Sequence, residues 1–222
     1  KKAVLFIDEI QIIGKLKNAC AIEGAIRSVA QTSTHLCLVF SGSRRHLVNE
    51  MFNDDDRPLY KLCEQIALER ISAESYQKHL SALSVLKWPT TMPPNVIEHI
   101  LSITKRHPYY VNRLCFELWQ RDKMPGINDV ETDWARLLHA SKAGMLSKLD
   151  NLSRSQLNLL IYIAKGHNGN LMSKAAITEL QLSASSIADA LKHLTKNDIL
   201  ERGDNNYYTV LDPMISYILD LY

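Results

Sequence analysis

Lys1-Lys2-Ala3-Val4-Leu5-Phe6-Ile7-Asp8-Glu9-Ile10-Gln11 is the segment on which the architecture turns. Val4 to Ile7 is an unbroken apolar run, rich in β-branched and aromatic residues. Such a run predicts a strand covered on both faces, as in a parallel sheet. It ends at two adjacent carboxylates, Asp8 and Glu9. Ligands of open α/β sheets bind just past the carboxyl ends of the strands, so both acids fall where chemistry is done. A hard cation takes oxygen ligands, and a water becomes a better nucleophile beside an acceptor. Two carboxylates at a strand tip can supply both. On these residues alone, a buried strand followed by an acidic turn is an equal reading.

The next segments extend the same pattern. Asn18 to Thr32 carries Ile22, Ile26, Val29 and Ala30 at helical spacing. Leu36 to Phe40 is a second continuous apolar run, ending in Ser41-Gly42-Ser43-Arg44-Arg45. Strand, helix and strand of this size make one βαβ unit. That unit places Ser41 beside Asp8 and Glu9, where a hydroxyl can hydrogen-bond a water or a phosphate oxygen. The plainer alternative is a Ser-Gly turn after a strand. A short amphipathic helix, His46 to Phe52, leads to an acidic loop and then Arg57-Pro58-Leu59-Tyr60. Pro58 stiffens the turn that presents Arg57. An arginine so held can neutralise charge on a phosphoryl group, or it can pair structurally with one of Asp54, Asp55 and Asp56.

Taken together these blocks resemble a known family. Leu-Phe-Ile-Asp-Glu-Ile-Gln fits a Walker B strand, and Leu-Val-Phe-Ser-Gly-Ser follows about thirty residues later. Met51-Phe52 and Arg57-Pro58-Leu59-Tyr60 complete a set similar to the archaeal-type ATPases, in the STAND branch of the AAA-like P-loop NTPases. The resemblance implies ATP and Mg²⁺ as cofactors, with Asp8 on the Mg²⁺ and Glu9 as the catalytic glutamate. It implies Ser41 or Ser43 at the sensor 1 position and Arg57 as the family's arginine. The chain departs from the family in one respect: it contains no G-x-x-x-x-G-K-[ST], so the phosphate cradle and its lysine are absent. It opens at Lys1, without Met, directly on a buried-type strand. Both facts predict either the C-terminal portion of a longer protein, inactive by itself, or a different role for Asp8-Glu9, and the first is the favoured reading.

The fold expected is therefore an α/β parallel-sheet P-loop NTPase remnant over 1–71, an all-α lid over 72–150 and a winged helix-turn-helix over 151–222. Leu62 to Ile71 is expected to hold the last strand of the sheet. Ser72 caps a helix to about Leu86, Asn95 caps another through Lys105, and Pro108 opens a third with Tyr110 or Val111, Leu114, Leu118 and Trp119 inside. Arg106-His107-Pro108 keeps the proline of the family's lid motif but lacks its glycine, and Arg113 matches a sensor 2 arginine poorly. A further helix spans about Asn128 to Ser147. Ser153, Ser173 and Ser183 or Ser185 cap three more helices. Ile199 to Val210 reads as a hairpin turning at Gly203-Asp204-Asn205-Asn206, and Asp212-Pro213 starts a closing helix to Tyr222.

Lys192 and Lys196, late in the third helix, and Arg202 on the wing are the candidate DNA or partner contacts. Residues 151–222 hold 6 Lys/Arg against 7 Asp/Glu, a net charge of −1. Phosphate contacts dominate non-specific affinity, so this balance favours protein docking, self-association or an intramolecular role over stand-alone DNA binding. An initiator of the Orc/Cdc6 type and a non-catalytic winged-helix adaptor are the two rival readings.

Bulk composition narrows the classes further. With 46% hydrophobic and 23% charged residues the chain is globular rather than disordered. A net charge of +2 over 222 residues carries no nucleic-acid signature of its own. Cys20, Cys37, Cys63 and Cys115 form no CxxC pair, and the eight histidines show no metal-ligand spacing. No apolar run reaches membrane-span length and no signal peptide is present. A cytoplasmic protein with reduced thiols, and with nucleotide rather than membrane as a partner, is expected.

Overall fold

A computed structural model describes residues 2–203 and 206–220. The chain divides into two units, Lys1–Ala67 and Leu68–Tyr222.

In the first unit β1 (Ala3–Ile7) and β2 (Leu36–Phe40) pair in parallel, Ala3 opposite Leu36 and Ile7 opposite Phe40. Parallel strands need a crossover, and α1 (Ala19–Thr32) provides it. A 3₁₀ segment, Ile10–Lys15, joins β1 to α1, and α2 (Arg45–Asn53) follows β2. The hydrophobic core of this unit lies past the carboxyl ends of the strands. Ile10, Met51, Phe52 and Leu59 are buried there, with Ile7 and Phe40 packed against them.

That placement corrects two expectations. The strand read as covered on both faces is open: Val4 is 70% and Phe6 59% exposed, and Leu5 and Val39 are also exposed. Apolar content fixed the strand, but cover comes from neighbouring elements, and the described residues supply only two strands and a core at one end. The strand expected within Leu62–Ile71 does not form. Residues 64–71 adopt no regular element, and Ile66 and Leu68 are exposed. Strand-like composition cannot make a strand without a ladder partner.

The second unit begins with four helices. These are α3 (Ala73–Lys87), α4 (Pro94–Ile103), α5 (Pro108–Leu118) and α6 (Ile127–Leu149). Ser72 caps α3 by accepting from Ser75 N–H at 3.1 Å. α4 starts one residue before the expected Asn95, with Pro94 in the first turn, where its missing N–H costs nothing. It stops at Ile103 because Lys105 and Arg106 take left-handed φ of 47° and 54°. The Asp129 carboxylate accepts from Gly126 N–H at 2.9 Å and so closes the start of α6. Ile97, Ile100, Leu114, Leu118 and Val130 fill the core between these helices.

A winged helix follows: α7 (Arg154–Ala164), α8 (Lys174–Leu180), α9 (Ala184–Lys196), β3 (Leu200–Arg202), β4 (Tyr208–Val210) and α10 (Pro213–Asp220). Ser153, Ser173 and Ser183 each cap the helix that follows. Gln181 turns the chain between α8 and α9 at a φ of 52°. β3 and β4 are antiparallel, Leu200 opposite Val210. Asp204 and Asn205 of the expected turn, and Leu221 and Tyr222 of the expected closing helix, lie outside the described residues.

The bundle and the winged helix share their supports. α6 contributes Val130, Trp134 and Leu137 to one core and Leu149 to the other; α10 contributes Met214 to the first and Ile215 and Leu219 to the second. Polar bonds fasten the same junction. Tyr110 Oη donates to Asp212 Oδ1 at 2.7 Å, and Lys105 Nζ donates to Ser216 Oγ at 2.8 Å. Arg70 donates to the carbonyls of Lys105 and Leu211 at 2.8 and 3.0 Å.

Candidate functional site

Four of the site residues expected from sequence meet at the carboxyl edge of the two-stranded sheet. The backbone brings them there. Ser41 N–H donates to the Ile7 carbonyl at 2.9 Å, and Ile10 N–H donates to the Ser41 carbonyl at 2.9 Å. The tip after β2 is thereby stitched across the Asp8-Glu9 turn. Ser41 Oγ donates to Asp8 Oδ1, which also accepts from Glu9 N–H at 2.9 Å. Ser43 Oγ donates to Glu9 Oε2 at 2.9 Å. Glu9 itself is left-handed at a φ of 52°, a conformation costing a non-glycine residue about 1–2 kcal/mol.

Each carboxylate is tethered through one oxygen. Both bonds to Asp8 fall on Oδ1, and both bonds to Glu9 fall on Oε2. Among the described residues Asp8 Oδ2 and Glu9 Oε1 accept none of these bonds. Asp8 is exposed and Glu9 half-buried, so the edge is open to a ligand. The donor set is all oxygen, two carboxylates and two hydroxyls, which suits a hard divalent cation.

Arg57 does not join this cluster. Its guanidinium is bidentate on Glu23 of α1, through Nε to Oε2 at 3.2 Å and through Nη2 to Oε1. The Glu23 side chain is fully buried and that of Arg57 is 18% exposed. One turn on, Arg27 Nη1 donates to the carbonyls of Pro58 and Tyr60 at 2.7 and 2.9 Å. Leu59 between them is buried. The whole Arg57-Pro58-Leu59-Tyr60 block is therefore docked on α1. The acidic partner is Glu23, not one of Asp54, Asp55 and Asp56, which remain exposed. Sequence reading gave no role to Glu23 or Arg27. A carboxylate and a guanidinium four residues apart, the only charged residues of α1, are the available signal.

Gln11 was also missed. It is 4% exposed, and its Nε2 donates to Glu9 Oε2. The remaining expected contacts lie in the other unit. Lys192 and Lys196 are exposed on α9, as is Asp189 between its turns, and Arg202 on β3 is exposed with its guanidinium on Asn206 Oδ1.

Comparison with known proteins agrees with this architecture. A family profile described as "Probable winged helix domain" matches residues 146–220. Comparison with curated proteins found no match. Among solved structures, the Walker-type ATPase Paby2304 of Pyrococcus abyssi superposes with a TM-score of 0.73 over 98% of this chain, at 18% identity. The chain spans 63% of that protein's length, less than two thirds. At this identity the likeness is one of fold: a small parallel sheet, a helical bundle and a winged helix. No helix among the described residues is long and apolar enough to cross a membrane.

Proposed function

We propose that this chain is the C-terminal portion of a P-loop ATPase of the archaeal-type STAND branch, and that the Asp8-Glu9-Ser41-Ser43 cluster serves ATP hydrolysis in the intact protein. One observation carries the reading. Each of the two acids is anchored through a single oxygen by a serine of the opposite strand tip, with its second oxygen outside those bonds. The arrangement leaves on each acid one oxygen that could take a cation or a water. The fold likeness to a Walker-type ATPase supports the same conclusion.

In this reading Asp8 Oδ2 would take a Mg²⁺ carried by the nucleotide, and that ion would neutralise charge on the β- and γ-phosphates. Glu9 Oε1 would accept a hydrogen bond from the attacking water and align it. Ser41 and Ser43 would hold both carboxylates in place and report on the γ-phosphate. Arg57 is given no catalytic part, because its guanidinium is committed to Glu23. The phosphate cradle would come from sequence outside these 222 residues, since no Walker A loop occurs within them.

The test is turnover in the full-length protein. Glu9→Gln keeps the shape and removes the acceptor charge; its Mg²⁺-dependent hydrolysis should fall at least a hundredfold with ATP still bound. Unchanged turnover would return the cluster to an acidic turn and favour the adaptor reading. For the winged helix we propose docking on protein rather than DNA, on the strength of its net charge and of Asp189 among the exposed lysines of α9. Salt-sensitive DNA binding lost on Lys192→Ala with Lys196→Ala would instead support the Orc/Cdc6 type.

A further inference from the structure

Beneath the two acids lies a buried amide. Gln11 is 4% exposed, in the 3₁₀ segment directly after the Asp8-Glu9 turn. Its Nε2 donates to Glu9 Oε2, the same oxygen that accepts from Ser43. The direction of the amide is fixed by chemistry: a carboxylate accepts only from the NH₂ end. The other end, Oε1, is then driven inward, and it is buried without a hydrogen-bond partner. A buried acceptor left unpaired is costly, so local stability alone does not account for an amide here. Leu or Met would fill the same space without that cost.

Gly42 makes room for it. A Cβ on Gly42 would collide with Gln11 Oε1 and with Val48 Cγ2. The backbone at Gly42 does not demand glycine through a positive φ, so the constraint is one of space. Gln11 and Ser43 thus donate to a single oxygen of Glu9, and Gly42 leaves the space that the Gln11 amide fills.

We infer that Gln11 is a positioning residue for Glu9: its amide, seated against Gly42, fixes the carboxylate so that Oε1 faces the nucleophile. This rests on the ATPase reading above and adds to it a residue and a reason for the central glycine of Ser41-Gly42-Ser43.

The experiment uses the full-length protein with Glu9→Gln, Gln11→Met and Gly42→Ala, turnover being normalised to bound nucleotide. Gln11→Met keeps the volume and removes the donor. It should lower kcat about ten- to a hundredfold with KM for ATP unchanged, as misplacement of a catalytic group does. Gly42→Ala should match it, and Gln11→Met should add nothing in the Glu9→Gln background. A second readout needs no nucleotide. In the isotope-labelled 222-residue chain, the Gln11 side-chain amide signals, identified by their loss in Gln11→Met, should shift on Glu9→Ala. If Glu9→Gln turns over like wild type, the ATPase reading fails and takes this inference with it. If Glu9→Gln is inactive but Gln11→Met keeps wild-type kcat, or the amide signals ignore Glu9→Ala, the inference alone is overturned.

Discussion

Glu23 is the residue on which the first unit's loop depends. Its carboxylate is wholly buried, and burial of a charge is tolerable only with a partner in good geometry. Arg57 supplies that partner bidentately. Removing one member of such a pair leaves the other charged and dry, a loss of about 3–5 kcal/mol. Arg57→Ala should therefore destabilise the first unit by that order in urea titration, whereas Arg57→Ala combined with Glu23→Leu should recover a large part. Arg27→Ala, which frees two loop carbonyls that can turn to water, should cost less, about 1–3 kcal/mol. At this scale the sequence was readable where chemistry is local. Asp8, Glu9, Ser41 and Ser43 follow strand tips, and a strand tip has a known position. The pairing of Arg57 is not legible in this way, because Glu23 lies 34 residues away along the chain, a distance that no spacing rule bridges. Gln11 is not legible in this way, because a glutamine among isoleucines carries no mark of its role until Gly42 is seen beside it.

The elements were legible in proportion to how locally they are specified. Serine caps at 72, 153, 173 and 183 and prolines at 108 and 213 place helix starts within a residue or two, since capping depends on the next three residues. Ser183→Ala removes the acceptor for Ser186 N–H at 3.1 Å and should cost about 1 kcal/mol, read as a lower melting temperature. Residues 64–71 failed the same treatment because a strand is specified by its neighbour, not by itself. The start of α5 carries a pH dependence. Burial, then the Arg70 guanidinium, hold the His107 imidazole below its ordinary 6.5, against an opposing pull from Asp212. A group so depressed binds fewer protons folded than unfolded across that window, so stability rises with pH through it. Melting temperature should be at its full value above about pH 6.5 and decline as pH falls below it. His107→Asn should flatten that decline.

At the scale of the molecule, composition predicted a globular chain and the order of elements predicted sheet, bundle and winged helix. What composition could not show is where the apolar surface ends up. Val4, Phe6 and Val39 stand exposed on one face of β1 and β2, with Leu5 exposed on the other; apolar surface of this kind marks an interface or an aggregation site. The 222-residue chain should self-associate with rising concentration, and Val4→Ser with Phe6→Ser should reduce that association in light scattering.

The two helices that those cores hold in common give that unit a mechanical property. α6 runs 23 residues without a break from one core into the other, and α10 lies across both. A helix of that length is about 35 Å of stiff rod. A torque applied at the wing therefore passes into the bundle through these two continuous helices rather than being taken up by a flexible linker.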